Sequence, residues 1–198
     1  MNHSKNIIAI AGNARSGKDT LGKYLVSILK EYGISAKTYS FADELKKETN
    51  EFLMRTLGIS AFTQDDEEKK IIRPFLVFWG TDLRRKMNPS VWVDKVSTSI
   101  QDNEVAIITD LRFGNELKWV KQNDGRVIFI SRIDSDGEII PPANLYEKVN
   151  NRSISKGADN NLTWITSDDE NLLKSLANEA LDSILTLEKF ESWKATCH

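Results

Sequence analysis

Residues 7–20 read Ile7-Ile8-Ala9-Ile10-Ala11-Gly12-Asn13-Ala14-Arg15-Ser16-Gly17-Lys18-Asp19-Thr20, and this stretch decides the fold. The apolar run before Gly12 predicts a strand that is buried on both faces of a parallel sheet. From Thr20 to Glu31, apolar residues recur at helical spacing, which predicts an amphipathic helix. Gly12, Gly17 and Lys18 have the spacing G-x-x-x-x-G-K. A strand before this spacing and a helix after it are typical of a phosphate-binding loop.

The chemistry of such a loop explains each part of the spacing. Glycines let the backbone turn tightly, so that successive N–H groups face an anion, and the N-terminus of the helix adds its positive dipole. Lys18 then reaches the β- and γ-phosphates of a nucleotide. A chance glycine-rich turn with a surface lysine is the alternative. The predicted nucleotide-binding residues are Gly12, Asn13, Ala14, Arg15, Ser16, Gly17, Lys18, Asp19 and Thr20.

The residue after Lys18 departs from the usual pattern. Asp19 stands where the motif has Ser or Thr, and the hydroxyl comes one place later as Thr20. Thr20 is a candidate Mg²⁺ ligand, directly or through water, whereas Asp19 is a candidate to hold a metal-bound water or to fix the charge of Lys18. Alternatively, Asp19 is a carboxylate that the helix dipole favours in the first turn.

A second group of polar residues follows the apolar run Val105–Thr109. It reads Asp110-Leu111-Arg112-Phe113-Gly114-Asn115-Glu116. Ligands of open α/β sheets bind at the carboxyl ends of the strands, so we expect Asp110 and Arg112 on the same side of the sheet as Lys18. Asp110 is therefore the second candidate metal ligand, with a helix N-cap as its alternative. Arg112 is, with Lys18 and Asp19, a candidate catalytic residue.

Short apolar runs along the chain predict the remaining strands. They are Ala36–Tyr39, Val105–Thr109, Val127–Ile130 and Leu162–Ile165, with helical periodicity between most of them. This alternation predicts an α/β fold of three layers, in which a central parallel sheet of about five strands is covered by helices on both faces. The length suits a single domain, residues 1–198.

Two segments interrupt the alternation. The stretch 41–101 has helical periodicity and no convincing strand, so we predict a helical insertion there, with Pro74 near the start of a turn. The stretch 134–161 is rich in Gly, Pro and polar residues, which predicts a mobile loop. After it, Ser167 and Glu170 have the spacing of a capping box and predict the start of a C-terminal helix.

Composition excludes several classes of protein. Lys and Arg number 27 against 29 Asp and Glu, and the pI is about 5.8, whereas a surface that binds long nucleic acid is normally basic. The apolar runs are too short for a membrane helix and no signal peptide precedes the first strand, so we expect a cytoplasmic protein without a membrane partner. Cys197 is the single cysteine, which excludes an internal disulfide and a cysteine-based metal site.

Three segments also carry a resemblance to a known family. They are Gly12–Thr20 with its Ser-Gly-Lys-Asp-Thr ending, Phe41–Lys46 and Thr109–Glu116, and a looser one runs from Gly80 through Trp92. These segments resemble the phage-type deoxynucleoside monophosphate kinases, within the nucleoside monophosphate kinase branch of the P-loop NTPase fold. Together they span most of residues 5–132. The Ser-Gly-Lys-Asp ending is also similar to animal-type phosphomevalonate kinase.

The resemblance implies a kinase that transfers the γ-phosphoryl group of ATP to a deoxynucleoside monophosphate (dNMP), with Mg²⁺ as cofactor and with the diphosphate and ADP as products. The helical insertion 41–101 would then bind the acceptor. The family also implies a homodimer and, for an enzyme encoded by a bacteriophage, the host cytoplasm. The substrate-binding residues predicted on this basis are Asp43, Lys46, Arg73, Trp79, Arg85, Trp92, Asp110, Arg112 and Glu116.

Several of these residues have structural explanations as well. Trp79 and Trp92 are candidate core anchors and not only platforms for a base. Asp43 is a candidate helix cap. A solvated surface role explains Arg73 and Arg85 equally well.

Two other functions also remain open. A P-loop kinase acting on a small phosphorylated metabolite, as in phosphomevalonate kinase, would use the same loop. For either acceptor little general-base catalysis is needed, because the second pKa of a phosphate monoester is about 6 and the dianion dominates at neutral pH. The last alternative is a nucleotide-binding module without transfer, although the guanine-reading segment Asn/Thr-Lys-x-Asp of such switches is absent from the sequence.

Overall fold

The computed structural model describes residues 5–134, 136–165 and 169–197 of the chain. These residues form two compact units. One is an α/β unit made from the segments up to Tyr39 and from Ile100 onward, and the other is a helical unit of residues Ser40–Ser99.

Among the described residues, a sheet of 5 parallel strands forms the centre of the α/β unit, which confirms the predicted fold class. The sheet order is β2-β3-β1-β4-β5, so β1 lies between β3 and β4. The carboxyl ends of all strands therefore lie along one edge of the sheet. The strands are β1 (Asn6–Gly12), β2 (Ala36–Tyr39), β3 (Val105–Leu111), β4 (Arg126–Ile133) and β5 (Asn160–Ile165).

Helices account for most of the remaining chain. No helix among the described residues combines the length and apolar character that crossing a membrane requires. A π-helical segment, Phe78–Arg84, follows the third helix. In chain order the helices are α1 (Lys18–Glu31), α2 (Phe41–Leu57), α3 (Asp66–Val77), α4 (Arg85–Met87), α5 (Val91–Ser99), α6 (Gly114–Gln122), α7 (Leu145–Gly157), α8 (Glu170–Ile184) and α9 (Leu187–Thr196).

The core of the α/β unit explains why β1 reads as a continuous apolar run. Ile8 and Ile10 join Leu25 of α1 and Leu181 of α8 in one buried cluster. Ile7 is fully buried as well, on the side where α6 and α7 contact the sheet. Complete burial of one such side chain contributes about 1.5–3 kcal/mol. Apolar residues are therefore needed on both faces of this strand.

The stretch 134–161 is not a loop throughout, so that prediction is wrong. It contains α7, which Asn144 caps by accepting the N–H of Glu147 at 2.9 Å. The buried residues of α7 are Asn151 and Ile154. Because one of the two is polar, the helix does not need the repeating apolar residues that predict an amphipathic helix. The Asn-x-x-Glu spacing at its start is the signal that predicts it.

Other predicted boundaries also differ from the structure. Pro74 lies inside α3 and not at a turn, and the π-helical segment follows directly after this helix. The helix α8 begins at Glu170, where the Asp169 carboxylate accepts the first N–H groups. Ser167, the predicted cap, lies outside the described residues. The final helix α9 has no strong apolar stripe and was not predicted.

Glu48 connects three segments of the helical unit. Its carboxylate accepts hydrogen bonds from the indole of Trp79 at 2.8 Å and from Arg84 Nη2 at 3.2 Å, and it lies 3.2 Å from Lys95 Nζ. Burial alone would raise the pKa of Glu48, but the bonds from these three donors outweigh burial and hold the pKa below its usual value. The ionised carboxylate is therefore part of what stabilises this unit.

We expect Gly12→Ala to lower the free energy of unfolding by about 3 kcal/mol or more. The φ of Gly12 is +146°, and a Cβ there would lie 2.2 Å from the carbonyl oxygen of Ile130. Urea denaturation measures the loss. Gly114→Ala is the control, because a Cβ on Gly114 meets no atom within 4 Å. Equal stability of the two variants would contradict this packing.

Glu48→Gln should weaken the helical unit at neutral pH but not in strong acid. Because the pKa of Glu48 is lower in the folded protein than in the unfolded chain, its contribution is present above the unfolded pKa of 4.5 and is lost as the pH falls through the folded pKa. We expect a loss of about 1–3 kcal/mol at neutral pH. Urea denaturation over a range of pH tests this, with the exposed Glu51→Gln as control. A constant difference between Glu48→Gln and wild type at every pH would refute it.

Candidate active site

The loop between β1 and α1 contains two residues in the left-handed region. Arg15 has φ +62° and Gly17 has φ +89°. The N–H of Ser16, between them, donates to the carbonyl of Asn13 at 3.2 Å. Alternation of left- and right-handed residues turns successive N–H groups toward one point, which is the backbone form of an anion-binding nest. The loop is therefore shaped to hold a phosphate chain.

Trp164 of β5 supports this loop. A Cβ on Gly17 would lie 2.7 Å from Nε1 of Trp164, so the indole fills the space where a side chain would be. Ser16 is fully buried, and its Oγ has no hydrogen-bond partner among the described residues. The contact with Trp164 holds the loop so that its N–H groups keep their direction. Because the loop is already ordered, less conformational entropy is lost when it binds an anion.

Lys18, the first residue of α1, folds back over the loop. Its Nζ donates to the carbonyl oxygens of Asn13 at 2.6 Å and Gly12 at 3.1 Å. The ammonium group has three N–H donors, so a phosphate oxygen can bind to Nζ beside these two carbonyls. The ammonium group is thus held at the loop and needs no large movement to reach a phosphate there.

Charged groups from several elements surround Lys18. Burial lowers the pKa of Lys18 and the charge of Arg112 lowers it further, whereas Glu147, Asp19 and Asp110 act in the opposite direction. These five side chains are therefore near enough to interact electrostatically. Lys18, Asp19, Asp110 and Arg112, all predicted from the sequence, come together at the carboxyl edge of the sheet.

A β-bulge lies where β3 approaches this edge. Ala9 of β1 pairs with Ile108, but Ala11 pairs with Leu111, so β3 has one more residue than β1 in this interval. A bulge re-aims the side chains beside it and is common next to active sites. Asp110 lies in this interval and is half-buried. Its direction is therefore set by strand pairing, which no local sequence signal reveals.

Glu116 has a different place from the one predicted. It is 1 % exposed, and its Oε2 accepts the N–H groups of Arg112 at 2.8 Å and Phe113 at 3.0 Å. The predicted role in substrate binding is therefore wrong, because this carboxylate is enclosed beneath its own turn. Glu116 instead fixes the turn that presents Arg112, whose side chain is exposed.

The residues predicted to bind Mg²⁺ fit its chemistry. Thr20 lies in the first turn of α1, and Gly22 of that helix packs against Thr109, the residue before Asp110. The described residues contain no group of three or more acidic, His or Cys side chains that could enclose a metal. Mg²⁺ commonly takes only one or two protein oxygens and completes its shell with water and phosphate oxygens. Thr20 and Asp110 would supply such oxygens, with Asp19 as a competitor.

The sequence analysis missed the residues of α7 that contact the loop. Glu147 Oε1 accepts the N–H of Ala14 at 2.8 Å, and Asn151 donates to Asn13 Oδ1 at 2.7 Å. Arg132 of β4 also donates to the carbonyl of Arg15 at 2.8 Å. Because α7 was expected to be a loop, nothing suggested that its polar residues approach the site.

The remaining candidates lie in the helical unit. Asp43 and Lys46 of α2 form an ion pair at 3.5 Å, and the cap of that helix is Ser40, not Asp43. Arg73 is exposed on α3 and Arg85 is half-buried in α4. The role predicted for these four residues in acceptor binding stays a prediction.

The two tryptophans of the helical unit make hydrogen bonds within that unit. Trp92 is 2 % exposed and donates its indole N–H to the carbonyl of Gly80 at 3.1 Å, so it is a core anchor and cannot stack on a base. Its predicted role in substrate binding is therefore wrong. Trp79 is half-buried, bonds Glu48 and lies against Phe75.

Several solved kinases are similar to this chain at low identity. Shikimate kinase from Aquifex aeolicus is 19% identical, with 89% of this chain and 95% of that chain covered and a TM-score of 0.48. A gluconokinase from Sinorhizobium meliloti is 11% identical, with 100% of both chains covered and a TM-score of 0.43. No curated protein has a sequence that matches this chain significantly.

A family model does match. The model described as phosphomevalonate kinase matches residues 10–126, more than half of the chain, and this range includes the loop, the helical unit and the turn of Arg112. The prediction of a P-loop kinase is confirmed, but its finer assignment to the phage-type deoxynucleoside monophosphate kinases is not. With its phosphate-binding loop at the carboxyl edge of a parallel sheet, the chain belongs to the phosphomevalonate kinase family.

Proposed function

We propose that this protein transfers the γ-phosphoryl group of ATP to the phosphate of a small phosphorylated metabolite, of the kind that phosphomevalonate represents. One observation carries the proposal. Lys18 in the loop lies near enough to Arg112 after β3, and to the Asp110 carboxylate, for their charges to interact. Transfer between two anionic phosphates needs cations that contact the phosphate oxygens more than it needs an acid or a base.

The reaction joins two phosphates. An oxygen of the acceptor phosphate attacks the γ-phosphorus of ATP, the bond from that phosphorus to the β–γ bridging oxygen breaks, and ADP leaves with the electron pair. The attacking oxygen is already ionised at neutral pH, since the second pKa of a phosphate monoester is about 6. No residue is therefore needed to remove a proton.

Each cation has a separate task in this scheme. Lys18, which lies against the carbonyls of Gly12 and Asn13, donates to phosphate oxygens of ATP and follows the charge that develops during transfer. Arg112 has a planar guanidinium, which can hold two oxygens of the acceptor or of the migrating group at once. Glu116 acts through Arg112, because it fixes the backbone of that residue.

Mg²⁺ would neutralise part of the phosphate charge when bound. Thr20 and Asp110 are the protein oxygens that we assign to it. Asp19 is exposed in the first turn of α1, and its charge raises the pKa of Lys18 against the effect of burial, so this carboxylate helps keep the ammonium protonated.

A dNMP is the second candidate acceptor. The segment Thr109–Glu116, which resembles the deoxynucleoside monophosphate kinases, is the one that carries Asp110 and Arg112. Both acceptors present the same phosphate monoester to this segment, so the chemistry at the site does not separate them. The family match favours the non-nucleotide acceptor.

An acceptor screen separates the candidates. ATP and Mg²⁺ are supplied with phosphomevalonate, other phosphorylated alcohols and the dNMPs in turn, and ADP release is measured by a coupled assay. We expect release with a non-nucleotide phosphate. Release with dNMPs alone would assign the second candidate, and tight ATP binding without release on any acceptor would indicate a nucleotide-binding module.

Lys18→Ala should leave the fold intact and reduce transfer by about 10²–10³-fold, because it removes the cation that follows the migrating charge. Single-turnover kinetics and a thermal melt measure the two effects separately. Lys23→Ala, an exposed change on the same helix, is the control. Turnover like that of wild type in Lys18→Ala would end the assignment of the loop to ATP.

Arg112→Lys should also be far from neutral although it keeps the charge. An ammonium cannot hold two phosphate oxygens in one plane, and losing such a contact costs about 10²–10³ in rate. Glu116→Gln should lower the rate by less, since it weakens only the support of the turn. Steady-state kinetics beside melting curves check both. If Arg112→Lys lowers only the melting temperature, while the rate per folded molecule is unchanged, Arg112 is structural.

A further inference from the structure

The N-terminal half of α7 makes a polar contact with the loop between β1 and α1. Glu147 Oε1 accepts the N–H of Ala14 at 2.8 Å, and its Oε2 accepts the N–H of Ala143 at 2.6 Å. The carboxylate therefore spans from its own segment to the loop. Ala14 lies within the residues that the G-x-x-x-x-G-K spacing assigns to the phosphate cradle.

Two further hydrogen bonds accompany this contact. Asn151 donates to Asn13 Oδ1 at 2.7 Å, and Asn13 Nδ2 donates to the carbonyl of Ile140 at 2.8 Å. Asn13, Ala14, Ile140, Glu147 and Asn151 thus form one connected set, which we call the α7 latch. Each bond in the latch joins the segment 140–151 to the loop.

We propose that Glu147 occupies the place of a phosphate oxygen in the cradle, so that ATP and the α7 latch compete for the same N–H. This inference rests on the proposed function, because ATP is the ligand whose phosphate chain displaces the carboxylate. A single N–H donates one good hydrogen bond, so Ala14 cannot serve Glu147 and a phosphate oxygen together.

Charge acts in the same direction. The Glu147 carboxylate is near enough to Lys18 for the two charges to interact. An incoming triphosphate would meet this negative charge at the loop, and like charges at such a distance repel in a partly buried site. Binding of the phosphate chain and withdrawal of Glu147 are therefore coupled.

The packing of α7 lets its first turns move. Leu145, Tyr146 and Val149 are 73%, 84% and 60% exposed, so this half of the helix buries little apolar surface. Ile154 in the second half is fully buried and anchors the helix. A cleft of about 400 Å³ also lies beside the latch, between Phe129 of β4 and Arg152 of α7. The hydrogen bonds of the α7 latch are thus the main interactions that keep the first half of α7 at the loop.

The test compares ligand binding in Glu147→Ala, Glu147→Gln and wild type. Isothermal titration with ATP and with inorganic tripolyphosphate, which has no nucleoside, gives the dissociation constants. We expect Glu147→Ala to bind both about tenfold more tightly, since the competitor is gone, and Glu147→Gln to fall between, since it keeps an oxygen acceptor without the charge. Amide exchange of Ala14 without ligand, measured by NMR, should be faster in Glu147→Ala.

The control is Glu138→Gln, an exposed change of the same charge on the segment before α7. Equal affinity of wild type and Glu147→Ala would overturn the inference, and so would an equal gain in Glu138→Gln, which would make the effect one of net charge. Unchanged exchange of Ala14 would also overturn it. The proposed function fails separately, when no acceptor yields ADP although the affinities change as expected.

Discussion

The N-terminus of α1 is the constraint on which the rest of this molecule depends. The first N–H groups of a helix have no partner within it, and they carry the positive end of the helix dipole. The chain brings them to the end of β1 and adds the N–H groups of a nest with residues in the left-handed region. These N–H groups together form a binding site for an anion. Neighbouring strands supply groups that hold these donors in place and charged groups that interact with their acceptor.

The sheet supplies both kinds of neighbour. From β4, the carbonyl of Ile130 closes the space beside Gly12, and from β5, Trp164 closes the space beside Gly17. From β3 come Asp110 and the turn of Arg112, which is held by a carboxylate buried beneath it. The parallel order places these contributions at one edge, although they are far apart in the chain. Polar groups on rigid strand ends can keep the geometry that the proposed phosphoryl transfer needs.

The sequence predicts the parts of this arrangement that are local. Strands buried on both faces are continuous apolar runs, and the loop spacing is contiguous, so both can be seen without a structure. Burial of a charged residue cannot be seen in this way, which is why Glu116 is predicted to bind substrate although it is enclosed. For Trp92 the sequence leaves a core anchor and a platform for a base both open, and its burial decides between them. The bulge at Asp110 is a property of two paired strands. Glu147 and Ala14, which are in contact, lie 133 positions apart in the chain, and neither segment has a sequence pattern that predicts this contact.

The electrostatics of the site follow from the chemistry of its ligands. Both reactants of the proposed phosphate-to-phosphate transfer are anions, so cations of the site attract both of them. Burial and the charge of Arg112 lower the pKa of Lys18, and the carboxylates of Glu147, Asp19 and Asp110 act against that shift. The whole chain is slightly acidic, with a formal net charge of -2.

Trp164 and Gly17 share one volume, and this has an evolutionary consequence. A larger residue at position 17 would need a smaller one at position 164, which is the usual basis for paired substitutions between relatives. Such a pair of substitutions does not work at these positions. The φ of Gly17 is +89°, which strains any residue with a side chain even where space is made for it. The glycine is thus required twice over, whereas the tryptophan is required only by packing. Among relatives we expect the indole to vary first, with the loop glycine unchanged above it.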